Sequence, residues 1–220
     1  MNVELRARGM LFDMDGVLMS SIGSVERSWQ RYAVSRNLDP ERTIHVAHGR
    51  RAIETVRTLR PDLNDEDELR FIEDLEVEDN EGLVVLPGVP ELLAALPEGS
   101  WAVVTSATER LARSRMACAG ITIPRHFVTA ETVAEGKPHP EPYLRGAALL
   151  GAKPGECLVI EDAPAGVASG KAAGCRVLAV LTTYGQEDLA AADWRVPTLA
   201  EVHATAERPD QILVQFESRG

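Results

Sequence analysis

The sequence Leu11-Phe12-Asp13-Met14-Asp15-Gly16-Val17-Leu18 joins an apolar run to two acidic residues and a glycine. The run from Met10 to Phe12 predicts the end of a buried strand, and Gly16 marks where that strand stops. Because side chains alternate along a strand, Asp13 and Asp15 are expected to leave it on the same side. Two adjacent carboxylates repel each other unless a cation lies between them or one keeps a proton. The pair therefore indicates a chemical site, although by itself it is equally compatible with a polar turn.

Composition and charge narrow the class of protein. Of the 220 residues, 45% are hydrophobic, which is ordinary for a globular chain that forms one large domain or a core with an insertion. The net charge of -11 argues against nucleic acid or an anionic membrane surface as a partner. It is compatible with a small anionic substrate, because salt screens charges over about 8–10 Å and local cations then outweigh the net charge.

Several features lead us to expect a cytoplasmic protein. The first residues form no apolar segment of signal-peptide length, and no run approaches the ~18–20 residues of a membrane span. Cys118, Cys157 and Cys175 are widely spaced in apolar or Ala/Gly surroundings, which is typical of reduced core thiols. We expect a monomer or a weak homodimer that binds neither nucleic acid nor a membrane.

Residues 20–85 show helical periodicity. The first apolar stripe at helical spacing comprises Val25, Trp29, Tyr32 and Ala33. A second helix is predicted between Gly49 and Pro61. A third, acid-rich helix is predicted from Asp65, and we interpret its excess of negative charge as a solvated face. Because no convincing strand lies in this range, we predict an all-helical insert at 20–85 between core segments at 1–19 and 86–220.

After Leu86, short apolar runs alternate with helical stretches. The runs span residues 101–104, 127–128, 158–160 and 177–181. Each of the first three is followed by polar residues and then a helix, which indicates repeated β-α units and a parallel sheet. A further run at 212–216 predicts a terminal edge strand. In an open α/β sheet the working residues collect beyond the carboxyl ends of the strands, so the residues after each run are candidates for a site.

The run at 101–104 is followed by Thr105, Ser106 and Ala107. Hydroxyl groups and free backbone N–H groups at the start of a helix form a seat for an anion. An ordinary Ser/Thr helix cap is the alternative interpretation.

Charged residues follow the next two runs. Lys137 lies between Gly136 and a proline-rich segment, which favours a fixed lysine that directs its charge at a phosphate. Glu161 and Asp162 directly follow the buried run at 158–160. A helix cap would explain Asp162 alone, but two adjacent acids are more than a cap requires.

Together these groups match what phosphoryl transfer requires. Carboxylate oxygens without a His/Cys cluster favour a hard ion such as Mg²⁺ over zinc. The ion and Lys137 would neutralise charge that otherwise keeps an anionic nucleophile away from a phosphate dianion. Asp13 could then attack phosphorus and form an aspartyl-phosphate. Asp15 could protonate the leaving oxygen and afterwards deprotonate the hydrolytic water.

The ordered motifs resemble those of a known family. Asp13-Met14-Asp15-Gly16, Thr105-Ser106, Lys137-Pro138 and Glu161-Asp162 resemble the four motifs of the haloacid dehalogenase-like phosphohydrolases, over nearly the whole chain. The segments around them look closest to the sugar-phosphate, 2-deoxyglucose-6-phosphate and glycerol-phosphate phosphatases. This resemblance implies an α/β fold with a Rossmann-like parallel-sheet core and a helical cap domain inserted after the first strand. It also implies an Mg²⁺-dependent phosphatase that acts on small phosphorylated sugars or polyols.

The resemblance also implies roles for individual residues. Asp13 corresponds to the nucleophile and Asp15 to the acid/base. The phosphate ligands correspond to Lys137 and to Thr105 or Ser106, and the motif does not decide between the two hydroxyls. The implied Mg²⁺ ligands are the carboxylates of Asp13 and Asp162 and the main-chain carbonyl of Asp15, with Glu161 nearby.

Substrate specificity is expected to come from the insert. His48, Gly49, Arg50 and Arg51 lie at a predicted loop-to-helix junction. A similar His-Gly segment faces the active site in the sugar- and glycerol-phosphatase relatives. We therefore expect His48 and one of the two arginines to contact substrate, the alternative being exposed basic residues at a helix start. Ser20 and Ser21, just beyond the first motif, are candidates for the entrance.

Three other functions on the same fold are alternatives. β-Phosphoglucomutase-like relatives carry a cap histidine after the second aspartate, and the equivalent segment here, residues 22–26, has none. Dehalogenases lack an acid where Asp15 stands. A non-catalytic protein that binds phosphorylated metabolites is the remaining alternative, and the intact Asp13, Asp15, Lys137 and Asp162 argue against it.

Overall fold

The computed structural model describes residues 1–47, 50–208 and 210–219. The strands are β1 (Asn2–Ala7), β2 (Gly9–Phe12), β3 (Met19–Ser20), β4 (Val84–Val85), β5 (Trp101–Val104), β6 (His126–Val128), β7 (Cys157–Glu161), β8 (Arg176–Val180), β9 (Trp194–Val196), β10 (His203–Arg208) and β11 (Gln211–Glu217). The helices are α1 (Ile22–Ser35), α2 (Pro40–Ala47), α3 (Ala52–Leu59), α4 (Asp65–Glu78), α5 (Val89–Ala95), α6 (Glu109–Cys118), α7 (Glu141–Leu149) and α8 (Pro164–Ala172). Among the described residues, no helix combines the length and the apolar character needed to cross a bilayer.

A parallel sheet with helices on both faces forms the core. Its strand order is β6-β5-β2-β7-β8-β9, and each neighbouring pair is parallel. Leu11 packs with α7 and α8 on one face, whereas Met10 and Phe12 pack with α5 and α6 on the other. This division follows from the alternation of side chains along β2. The predicted α/β fold with a Rossmann-like parallel sheet is confirmed.

A second, antiparallel sheet has the strand order β1-β11-β10. The sequence predicted residues 212–216 as an edge strand, and this is wrong, because β11 pairs with a strand on each side and is central. Ile212, Val214 and Phe216 are buried in alternation and join the hydrophobic cluster that covers one face of the parallel sheet. The flanking strands were not predicted because β10 is almost wholly exposed and β1 is largely polar.

Helices α1 to α4 surround a separate hydrophobic cluster, which includes Trp29, Tyr32, Val56 and Ile72. The apolar stripe predicted for the first helix lies on α1, and α2 is a helix that the pattern did not predict. The expectation that residues 20–85 contain no strand is wrong at its end, because β4 pairs with β3 in a short antiparallel ladder. The two strands that connect the helical segment to the rest of the chain thus lie side by side. We propose that residues 20–85 form the cap.

Part of the acidic face of α4 is buried rather than solvated. Glu68 accepts hydrogen bonds from Arg36 at 2.7 and 2.8 Å and from the Tyr32 hydroxyl at 2.8 Å. Glu76, two turns further along, is also buried. The prediction of a wholly solvated acidic face is therefore wrong for these two residues. Their carboxylates tolerate burial because each accepts hydrogen bonds from an arginine.

Candidate active site

The carboxyl ends of β2, β5 and β7 bring the predicted motifs to one edge of the sheet. Asp13 follows β2, Thr105 follows β5, and Glu161 is the last residue of β7. The backbone N–H of Asp13 donates to the carbonyl of Ile160 at 3.0 Å, which ties the first motif to the neighbouring strand. Because parallel strands end at the same edge, residues more than 140 positions apart in sequence become neighbours.

Lys137 lies at the centre of this edge. Its ammonium group donates to Asp13 Oδ1 at 2.9 Å, to Glu161 Oε1 at 2.7 Å and to the Val104 carbonyl at 3.0 Å. The side chain is 5% exposed, so all three ammonium protons have partners inside the protein. Burial opposes its positive charge, but Asp13 and Glu161 outweigh that effect and raise the pKa of Lys137. The lysine therefore stays charged.

Glu161 is held by donors from several elements. Its Oε1 accepts from Lys137 and from the Tyr143 hydroxyl, each at 2.7 Å. Its Oε2 accepts from the backbone N–H groups of Asp162 at 3.0 Å and Ala163 at 3.1 Å. A side chain at Gly166, in the first turns of α8, would overlap this carboxylate. The glycine thus allows the helix to pack directly on a fixed, buried acid.

The acidic groups exceed the local positive charge. Burial raises the pKa of Asp13 to about 7, although Lys137 opposes the shift. Burial and the nearby carboxylates of Glu161 and Asp13 raise the pKa of Asp162 well above its ordinary value, although a hydrogen bond with Thr183 lowers it. Burial is the main cause of both pKa shifts, nearby carboxylates add to it, and the positive charge of Lys137 offsets them only in part.

A divalent cation fits this donor set. Carboxylate oxygens of Asp13, Glu161 and Asp162 all lie within 4.8 Å of one another. Three carboxylates beside one ammonium leave an excess of negative charge, and oxygen-only ligands suit a hard ion. Asp162 also packs against Gly16, whose φ is 77° and where a Cβ would overlap the Asp162 carboxylate. The glycine of the first motif therefore leaves room for an acidic group of the last.

The hydroxyl motif lies beside this cluster. Thr105, Ser106 and Ala107 line the same cavity, and the Ala107 N–H donates to Thr105 Oγ1 at 3.1 Å. The cap of the following helix is Thr108, which accepts from the Leu111 N–H at 3.3 Å. The alternative that Thr105 or Ser106 is an ordinary helix cap is therefore wrong.

Asp15 has a different environment from Asp13. Its two carboxylate oxygens each accept from Arg115 Nη1 at 3.0 Å, and Arg115 Nη2 donates to Glu76 Oε1 at 3.2 Å. Burial raises the pKa of Glu76 to about 7, although Arg115 opposes the shift. Each of the two aspartates of the first motif thus contacts its own buried cationic side chain, Lys137 for Asp13 and Arg115 for Asp15. The main-chain carbonyl of Asp15 stays a predicted metal ligand.

Helices α1, α3 and α4 form the other wall of the cavity, which has a volume of about 200 Å³. Arg50 and Arg51 both line it, and Arg51 donates to Glu54 Oε1 at 2.6 Å. Ser21 also lines the cavity, whereas Ser20 is not among its described lining residues. His48 and Gly49, the other predicted cap residues, lie outside the described residues.

Four further residues of the site were not predicted, namely Arg115, Glu76, Tyr143 and Thr183. Arg115 had a signal in the sequence, because it interrupts a helix face formed by Leu111, Ala112 and Met116. The others had none, since their partners lie on distant segments.

The chain is similar to a family of hydrolases and to individual phosphatases. A family model described as haloacid dehalogenase-like hydrolase matches residues 7–174. Hexitol phosphatase A of Escherichia coli (strain K12) is 40% identical over 216 residues, which cover 96% of this chain and 100% of that protein. Glycerol-1-phosphate phosphohydrolase 2 of Saccharomyces cerevisiae is 37% identical over 194 residues, which cover 83% of this chain and 78% of that protein.

A solved structure has the same fold. CbbY from Rhodobacter sphaeroides, in complex with phosphate, aligns with a TM-score of 0.78 at 22% sequence identity. The alignment covers 89% of this chain and 96% of that chain.

Proposed function

The chain belongs to the haloacid dehalogenase-like hydrolases, as its motifs predicted, and we propose that it is an Mg²⁺-dependent phosphatase of small phosphorylated sugars or polyols. The relatives named above act on hexitol phosphates and on glycerol 1-phosphate. These substrates share a phosphate monoester on a short polyhydroxylated chain. A substrate of this class matches a cavity with charged groups at its base and both charged and apolar groups on its cap side.

One observation carries the proposal. Asp13 lies 2.9 Å from the buried ammonium of Lys137 and belongs to an acidic cluster that suits a divalent cation. A carboxylate in contact with fixed positive charge can approach a phosphate dianion with less repulsion. Asp13 would attack phosphorus, so that the ester oxygen leaves and the phosphoryl group is held as an aspartyl-phosphate.

The other residues complete the proposed reaction. Asp15 gives a proton to the departing ester oxygen and later accepts one from the water that attacks the aspartyl-phosphate, which releases phosphate and regenerates Asp13. Lys137 and the hydroxyl of Thr105 or Ser106 hold the phosphoryl oxygens. Asp13, Asp162 and the Asp15 main-chain carbonyl would hold Mg²⁺, with Glu161 nearby. When bound, the ion supplies electrostatic stabilisation of the charge that develops on the phosphoryl group.

Release of phosphate from p-nitrophenyl phosphate, with Mg²⁺ and with EDTA, tests the activity. We expect turnover with Mg²⁺, little with EDTA, and a loss of at least about 10³-fold in Asp13→Asn, because an amide is a poor nucleophile. Asp67→Asn, at an exposed position in the first turn of α4, is the matched control and should behave as wild type. A panel of sugar and polyol phosphates then defines the substrate.

The outcomes separate this proposal from its alternatives. Normal turnover in Asp13→Asn would exclude Asp13 as the nucleophile. Tight binding of phosphorylated metabolites without turnover would indicate a binding protein. If ³¹P NMR detected an isomeric sugar phosphate and no free phosphate, the protein would be a mutase.

A further inference from the structure

Arg115 is an unusual residue for its position. It lies on the buried face of α6 beside Leu111, Ala112 and Met116, and it is 3% exposed. A guanidinium group in such a place loses its hydration and is tolerated only when carboxylates surround it. Its Nε has no hydrogen-bond partner, so the side chain depends on the contacts of its two terminal nitrogens.

These contacts join the two parts of the molecule. Nη1 donates to both oxygens of Asp15, in the core, and Nη2 donates to Glu76, on helix α4 of the proposed cap. The side chain of Glu76 is 6% exposed and that of Asp15 is 29% exposed, so Asp15 is the most exposed of the three residues, all of which line the cavity. The carboxylate proposed to transfer protons is therefore held from behind by a buried cation.

We propose that Arg115 is a positioning residue for Asp15, and that Glu76 fixes Arg115 from the cap side. This inference rests on the proposed function, in which Asp15 is the acid/base. A carboxylate gripped through both oxygens has a defined orientation toward the departing oxygen. Without Arg115, Asp15 would lose the cation that both of its oxygens contact, and Glu76 would lose the same partner. Seating the cap on the core would thus also complete the arrangement that aims Asp15.

Substrates with different leaving groups test this role. Glycerol 1-phosphate releases a poor, alkoxide-like leaving group that needs a proton, whereas 2,4-dinitrophenyl phosphate releases an acidic phenol that needs none. Because kcat/KM reports the steps up to departure of the leaving group, we expect Arg115→Met to lower kcat/KM at least about 10²-fold for the first ester and less than about 3-fold for the second. Glu76→Ala should show the same selectivity with a smaller loss.

A matched control lies one turn and a half earlier on α6. Arg110 donates to Glu73 at 2.7 Å and to Asp74 at 2.6 Å, so it also joins the core to α4 but does not contact Asp15. Arg110→Met should leave the ratio of the two kcat/KM values as in wild type. Arg115→Met leaves the carboxylates of Glu76 and Asp15 without a cation, which could destabilise the protein. The double variant Arg115→Met/Glu76→Gln has one buried ionisable group fewer than the single variant and therefore provides a second protein for the same test.

The outcomes distinguish this inference from the proposed function. Equal losses for both esters in the single and double variants, or no loss for either, would overturn the positioning role. The positioning role would be supported if the ratio of the two kcat/KM values changed in the Arg115 and Glu76 variants but not in Arg110→Met. Wild-type protein without turnover of either ester, or Asp13→Asn with normal turnover, would instead overturn the proposed function.

Discussion

The substitution Gly166→Ala tests whether tertiary packing or local helix propensity decides the stability of the protein at this position. Gly166 lies in the first turns of α8, where alanine is a better helix former by about 1 kcal/mol. A methyl group there would overlap the carboxylate of Glu161. That carboxylate has no room to swing away, since it is fully buried and accepts four hydrogen bonds from Lys137, Tyr143 and two backbone N–H groups.

The expected magnitude follows from these contacts. Displacing Glu161 separates it from the buried Lys137, and breaking a buried ion pair costs about 3–5 kcal/mol. Subtracting the gain of about 1 kcal/mol in helix propensity leaves a net destabilisation of about 3 kcal/mol. For a protein of this size that corresponds to a melting temperature lower by about 6–12 °C. We also expect loss of phosphatase activity, because Lys137 and Asp162 move with Glu161.

Thermal unfolding in EDTA and in Mg²⁺, together with p-nitrophenyl phosphate turnover, measures both effects. Gly155→Ala is the matched control, because a Cβ there meets its nearest neighbour at an ordinary 3.7 Å. It should change the stability by less than about 0.5 kcal/mol. If Gly166→Ala melted at or above the wild-type temperature and kept its activity, the contact between α8 and Glu161 would not be what holds this acid in place.

Three further predictions concern the cation site and the cap. Burial raises the pKa of Asp13 to about 7 and that of Asp162 well above its ordinary value, and metal binding displaces the protons of both groups. The affinity for Mg²⁺ measured by calorimetry should therefore be at least about tenfold lower at pH 6 than at pH 8, and equal affinity at the two pH values would contradict this. Gly16 has a φ of 77°, and a Cβ there would overlap the Asp162 carboxylate. Gly16→Ala should therefore lower the Mg²⁺ affinity more than about tenfold and cost about 1–2 kcal/mol of stability. If the variant bound Mg²⁺ in calorimetry as tightly as wild type, the close packing of Gly16 on Asp162 would be refuted. The hydrogen bond with Arg36 lowers the pKa of Glu68 below its ordinary value of 4.5. Glu68→Gln should therefore reduce the free energy of unfolding by about 2 kcal/mol at pH 7, and by progressively less as the pH falls below 4.5. A loss of stability that did not depend on pH in thermal unfolding would argue against the ion pair.

The predictions from sequence succeeded where the signal was local. The apolar runs of the parallel sheet and the periodicity of α1 are local patterns, and both elements form where they were expected. Errors arose where long-range partners decide the structure. The strand at 212–216 is central rather than an edge because β1, from the opposite end of the chain, pairs with it. The acids Glu68 and Glu76 are buried because arginines from other helices reach them.

The sequence by itself determined which strand ends carry acids, hydroxyls and a lysine, because residue type and the position of an apolar run are properties of short segments. It also determined the family, through the order of its motifs. Only the tertiary structure decided which charges meet. Lys137 contacts Asp13 and Glu161, while Arg115 contacts Asp15 and Glu76, and neither choice is encoded in spacing along the chain. The physical reason is that buried charges pair according to distance in the folded state, which the sheet order and the seating of α4 on α6 set.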